Sequence, residues 1–344
     1  MNIKNKKIMP QAFTWFLLMS VFSLFIFACS SYTSSKAKLK EEANVSALNL
    51  NFPDFNADSA LLFVKKQLAF GPRIPNSKAQ KECALYLQKH MQLYAPKVEV
   101  QEFSMPNWEG NHLKGYNIIA SFNPENKNRL LLAAHWDSRP YADHDPEVKN
   151  HKTPIPGAND GASGVAVLME VARLLAQQTP HIGVDIIFFD LEDVGTPEWA
   201  NSTQEDTWCL GSQYWAQHSH TPTYTAKYGI LLDMVACHNP NFTKEGTSMY
   251  YAPDIMNEIW RIAGQLGYGQ AFPSQLTGAI LDDHLYVNKL ASIPMIDIIH
   301  YDPNSKSGFF PYWHTIKDDI EQVNPQTMEM VGELLMTVIF NQAK

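Results

Sequence analysis

The stretch Val184–Asp193, Val-Asp-Ile-Ile-Phe-Phe-Asp-Leu-Glu-Asp, constrains the fold more than any other part of this 344-residue chain. Ile186, Ile187, Phe188 and Phe189 form a continuous apolar run rich in β-branched and aromatic residues. A half-exposed strand would alternate, so such a run reads as a strand buried on both faces of a sheet. Asp190, Glu192 and Asp193 follow at once, where the chain must leave the sheet. In open α/β sheets, ligands bind in the crevice beyond the carboxyl ends of the strands. Neighbouring carboxylates there suit a metal ligand beside a general base, although a merely acidic loop is the plainer explanation of this motif alone.

The remaining segments supply partners for that strand. Arg129–Ala134, Tyr228–Leu232 and Pro294–Ile299 read as further buried strands. Val98–Phe103 and Tyr116–Phe122 read as a pair joined through Pro106 and Gly110. Helices are predicted over Ser59–Phe70, from a Ser77/Gln80 capping box, over Ile255–Leu266, and after Asn324-Pro325 with Met328, Val331, Leu335 and Val338 inward. Another carries Val165, Leu168, Val171, Ala172 and Leu175 inward, with Glu170 and Arg173 on the outer side. Gly195–Leu210 is a long strand-free excursion, unusual unless it forms part of a site. Strands alternate with helices, and no repeat or Gly/Ser linker interrupts them. The prediction is one α/β domain over residues 53–344, with a mostly parallel twisted central sheet and helices on both faces. With 45% hydrophobic and 18% charged residues, the chain can fill such a core.

The N-terminus carries an address. Lys4, Lys6 and Lys7 precede an apolar run, Ala12 to Ala28, as in a secretory signal. A small residue directly before Cys29 resembles a bacterial lipoprotein cleavage box. The expectation is a signal over residues 1–28, then lipidated Cys29 and a polar tether over residues 29–52. This would make an exported lipoprotein, periplasm-facing and held to the inner or the outer membrane. Phe27 is bulkier than the usual residue, which leaves a nearby cleavage site open, and a membrane-spanning anchor is the alternative, for which the run is short. Cys83, Cys209 and Cys237 remain, an odd number that permits at most one disulfide and matches no zinc-knuckle spacing. The net charge of −8 disfavours nucleic acid as a partner.

Each central strand end offers a metal-binding or acid/base residue: His135 and Asp137, Asp160 in the next loop, Glu192 and Asp193, Asp233, Asp283, and His314 after the Tyr301–Trp313 loop. Singly, each has a duller explanation as a cap, a turn or a satisfied core histidine. Gathered at one edge of one sheet, they suit a hard or borderline cation. Zinc takes His nitrogen and Asp oxygen with one position left open.

His135-x-Asp137, Gly157-Ala158-Asn159-Asp160, Glu192-Asp193, Asp233 and His314 stand in the order found in the zinc aminopeptidase superfamily, which the chain resembles from about Pro53 onward. Within it, Leu281-Asp282-Asp283-His284, Phe309-Phe310-Pro311-Tyr312-Trp313-His314 and His135-Trp136-Asp137-Ser138-Arg139-Pro140 resemble the glutaminyl-peptide cyclotransferases, particularly the bacterial ones. The resemblance implies one zinc per chain, held by Asp160, Asp193 and His314, with Asp193 where family members often carry Glu. It implies Glu192 as general base, Asp233 and Asp283 as acids of its hydrogen-bond network, and Trp199, Trp313 and one of Phe309 or Phe310 on the pocket wall. His135 matches a second-metal ligand of the aminopeptidases, and Asp137 stands beside it. The substrates implied are peptides and proteins with N-terminal Gln, acted on by a monomer. A two-zinc aminopeptidase and a non-catalytic peptide-binding lipoprotein are the competing expectations.

Overall fold

The computed structural model describes residues 48–342. The signal segment, Cys29 and most of the tether lie outside the described residues.

Six strands form one sheet: β1 (Lys97–Pro106), β2 (His112–Phe122), β3 (Arg129–His135), β4 (Gly183–Phe189), β5 (Tyr228–Asp233) and β6 (Met295–Ile299), in the order β1-β2-β4-β3-β5-β6. β3, β4, β5 and β6 run parallel, while β2 runs antiparallel to both β1 and β4. The chain steps from β3 to β4 on one side, then crosses to the other side for β5. The crevice beyond these ends is therefore the topological switch point, where ligands bind in open α/β sheets. As the apolar run requires, every residue of β3 and β4 is buried.

Asp185, the one acid inside β4, is neutralised at the end remote from that crevice. Arg129 of β3 pairs with it bidentately at 2.6 and 2.7 Å, and the Tyr224 and Ser121 hydroxyls donate to it at 2.7 and 2.6 Å. The buried pair is thus matched in charge and its carboxylate oxygens are fully hydrogen-bonded.

Helices flank both faces. On one side lie α1 (Ala57–Leu68), α3 (Ala162–Gln177) and α8 (Pro325–Phe340), with α2 (Lys78–Gln92) and α6 (Pro253–Gln265) towards the margins. On the other, α4 (Leu210–Gln217) places Trp215 on Ile119, Leu131, Ala133, Ile187 and Phe189. That core extends to Val287 in the π-helical turn after α7 (Asp283–Tyr286). The short α5 (Gly246–Tyr251) follows a buried Glu245 N-cap. α3 approaches the sheet so closely that a Cβ on Gly164 would collide with the Leu232 carbonyl and touch Ala134. Because α1 and α8 cover α3, Glu170 is buried rather than outward. It accepts from the Asn56 amide at 3.2 Å and pairs with Arg173. Among the described residues Cys83, Cys209 and Cys237 are all free and buried.

Candidate active site

At the carboxyl ends of the parallel strands opens a cavity of about 430 Å³. Its polar floor comprises Asp160, Glu192, Asp193, Asp233, Asp282 and His314, all buried. Trp208, Met234, Tyr301, Phe309 and Trp313 belong to its apolar wall.

Three segments far apart in sequence meet on this floor. Asp160 comes from the loop before α3, Asp193 from the turn after β4, and His314 from the end of the Tyr301–Trp313 loop. One ligand atom from each lies within 4.8 Å of the other two. His314 Nε2 is 3.0 Å from Asp193 Oδ1 and 3.7 Å from Asp160 Oδ2. Asp160 Oδ2 and both Asp193 oxygens are buried without a hydrogen-bond donor. Unpaired carboxylate oxygens in a protein interior are costly. A cation at their centre would remove that cost, and the one-His, two-carboxylate set with an open cavity side fits zinc. Burial pushes the Asp193 carboxyl up to about 6, against the pull of His314. Burial works against ionisation of Asp160 too, yet His135 holds its carboxyl below the usual range.

A surrounding layer of partners fixes these groups. Asp137 Oδ1 accepts from the Glu192 amide and Oδ2 from the Asp193 amide, each at 3.1 Å. The turn therefore presents both side chains to the cavity, helped by Leu191 at φ +59°. Arg139 pairs with Asp143 at 2.7 and 2.5 Å, donates to the Asp193 carbonyl at 3.1 Å, and stacks 4.4 Å over Trp208. Asp143 Oδ1 lies 3.5 Å from His314 Nδ1, the carboxylate–histidine arrangement that sets the ring orientation of metal-binding histidines. His135 Nε2 sits 3.1 Å from Asp160 Oδ1 and 3.3 Å from Asp233 Oδ1. A Cβ at Gly161 would collide with that imidazole, so the close approach requires glycine.

Glu192 stands between these groups. Burial pushes its carboxyl well above the ordinary value; His135 opposes this, while Asp193, Asp282 and Asp283 add to it. Burial likewise lifts Asp233 to about 7. Carboxyls raised above their ordinary range in this way can accept and return protons.

Several expected wall and network residues sit elsewhere. Trp199 is 41% exposed and packs on Tyr141 at 5.2 Å, away from the cavity. Trp208 takes the wall instead, parallel to His314 at 5.9 Å, because the 195–209 excursion folds back before α4. Phe309 lines the cavity against Trp313 at 4.6 Å, whereas Phe310 is core, packed with Met234, Cys237 and Ile299. Asp282 rather than Asp283 reaches the floor. Asp282 is the N-cap of α7 and accepts from the Asp283 amide, while Asp283, the first helical residue, turns towards Ser212 and is fully buried. Arg139, Asp143 and Tyr301 carry no sequence signal beyond their place in motifs or loops near the ligands.

The profile of peptidase family M28 matches residues 117–339. Among solved structures, a Zn-dependent exopeptidase from Parabacteroides distasonis is 51% identical with a TM-score of 0.83, covering 85% of this chain and 100% of that one. Glutaminyl cyclase from Tannerella forsythia is 49% identical with a TM-score of 0.83 over the same shares. The curated glutaminyl-peptide cyclotransferase of Bos taurus is 25% identical over 261 residues. The match takes in 65% of this chain and 65%, just under two thirds, of the bovine protein.

Proposed function

The chain belongs to peptidase family M28, and on that premise we propose that it is a glutaminyl-peptide cyclotransferase. It converts N-terminal glutaminyl residues to pyroglutamate and releases ammonia. The observation that carries this reading is a group of unpartnered ligand atoms, on Asp160 and Asp193 beside His314, next to a buried Glu192 in an aromatic-walled cavity. The likeness to the Tannerella cyclase points the same way.

The substrate brings its own nucleophile. The α-amine of an N-terminal Gln attacks its own γ-carbonyl carbon, so the protein's task is to fold that side chain back and hold it, which is catalysis by proximity. Asp160, Asp193 and His314 would hold one zinc, which supplies polarisation of the γ-carbonyl and a counter-charge for its oxygen. As the new C–N bond forms, Glu192 takes a proton from the amine. As the amide C–N bond breaks, Glu192 returns that proton to the departing nitrogen, which leaves as ammonia. Asp233 and Asp282, charged or protonated around Glu192, set how readily it does both. Trp208, Phe309 and Trp313 exclude the water that would otherwise hydrolyse the amide.

Purified protein incubated with a Gln-initiated dipeptide tests the reading: ammonia together with a blocked N-terminus is expected. Release of free Gln would overturn it in favour of the second reading, a two-metal exopeptidase. That alternative is favoured by the His135, Asp160 and Asp233 grouping, whose ligand atoms also lie within 4.8 Å of one another. Two tightly bound zincs per chain, both required, would decide for it. No reaction would favour a peptide-binding role. The same proposal includes the address read from the N-terminus: a lipidated Cys29 holding a monomer on the periplasmic side of a membrane, where secreted chains expose N-terminal Gln. Mass spectrometry of the mature N-terminus tests it, and an unmodified Cys29 would end it.

A further inference from the structure

Cys209 grips Glu192 at two points. Its amide donates to the Glu192 carbonyl oxygen at 2.8 Å, and its thiol donates to Glu192 Oε1 at 3.2 Å. The residue is fully buried and has a left-handed backbone at φ +57°. The left-handed conformation is unfavourable for a non-glycine residue, so its surroundings must hold it there. They do: the Leu210 amide bonds the Leu191 carbonyl at 2.9 Å, and Ser212 Oγ and the Gln213 amide both donate to the Cys209 carbonyl at 3.0 Å. Asp282 completes the group, with Glu192, Cys209 and Asp282 each offering an atom within 4.8 Å of the others. A thiol in that place is a neutral donor between two acids that would otherwise repel each other. Burial, with these acids around it, pushes the thiol pKa well up, so it keeps its proton. Oε1 is thereby occupied, whereas Glu192 Oε2 accepts no hydrogen bond among the described residues; His135 Nδ1 lies 3.9 Å from it.

We propose that Cys209 is a positioning residue for the general base: its S–H···Oε1 hydrogen bond selects one rotamer of Glu192 and leaves Oε2 as the oxygen that takes the substrate proton. The inference rests on the reading of Glu192 as base and deepens it. A thiol is a weak donor, so its role is to choose an orientation, and its loss lets the carboxylate turn away.

Steady-state kinetics on Gln peptides, with zinc content and melting temperature measured in parallel, test this. Cys209→Ala is expected to lower kcat about tenfold while KM changes less than twofold and zinc stays bound. Cys209→Ser, which restores a donor, is expected to recover most of that loss. An unchanged kcat in Cys209→Ala would overturn the proposal. So would a Cys209→Ser variant that folds yet is as slow as Cys209→Ala, since the residue would then act through packing. Should Cys209→Ala fail to fold, the S–H stretching band decides. Assigned by difference against Cys209→Ser, it is expected to be shifted to low frequency and to return towards the free-thiol position in Glu192→Ala; an unshifted band overturns the proposal. Because the infrared result does not depend on turnover, it is distinguishable from a failure of the cyclotransferase reading, which would show as wild-type protein releasing no ammonia.

Discussion

Asp137 Oδ2 accepts the Asp193 amide hydrogen across 3.1 Å, and its other oxygen does the same for Glu192. One carboxylate beyond the end of β3 therefore orients the turn beyond β4. Asp137→Asn replaces one of these acceptors by an NH₂ group facing an N–H. The expected result is a loss of about 1–3 kcal/mol in stability and zinc binding weakened about 10–100-fold. Thermal melts and metal titration measure both.

Glu192→Gln is expected to lower turnover by about 10²–10⁴-fold, the usual worth of a general base, while leaving zinc in place. His314→Ala is expected to lose zinc and activity together. Metal analysis beside the ammonia assay separates the two, and near-normal activity in Glu192→Gln would mean that the base lies elsewhere.

The two tryptophans of the 195–209 excursion should behave differently. Trp208 forms the wall and lies under Arg139, so Trp208→Ala is expected to lower kcat/KM about tenfold or more, with a rise in KM. Trp199 packs outside the cavity, and Trp199→Ala is expected to stay within about twofold of wild type. Kinetics on one Gln peptide suffice to compare them.

His300, just after β6, must be neutral at Nδ1, because that nitrogen accepts the Asn241 amide hydrogen at 3.2 Å. Burial lowers its pKa from the ordinary 6.5 to about 4. As pH falls below 6.5 the unfolded chain takes up a proton there that the folded state refuses until about pH 4. Stability from this group is therefore full above pH 6.5 and lost through that window, by up to about 3 kcal/mol. His300→Asn, which keeps an acceptor but cannot titrate, is expected to flatten the dependence of unfolding free energy on pH between 6.5 and 4. Denaturant melts across that range, with wild type alongside, measure the difference.

The buried strands were legible because periodicity and β-branched content are local properties. The predicted runs for β3, β5 and β6 agree with the observed ones to within a residue, and the apolar run for β4 ends with the strand but starts later than its Gly183. That titratable residues gather at one edge was legible for a different reason: the carboxyl ends of parallel strands share that edge; which of them form the Asp160, Asp193 and His314 grouping was implied only by the resemblance to the cyclotransferases. What sequence left obscure depends on side-chain direction within a turn. Asp282 and Asp283 are neighbours, and only the capping geometry of α7 says which faces the cavity. The same holds for Phe309 and Phe310. Trp199 and Trp208 differ by the path of a loop without periodicity, and Glu170 lost its solvent because two other helices cover α3, which no pattern within that helix can express.

Glu192 and Asp193 are joined by a single peptide unit. When thermal motion lets strands slide or spread, distances between residues on different segments change, but the span between these two barely can. The proposed proton carrier and one proposed cation ligand are thus geared together, while His314 arrives on a separate, irregular loop. Heat or pressure that loosens the molecule would therefore first uncouple that histidine, and activity would fade through a drifting ion before the acid–base group itself lost its place.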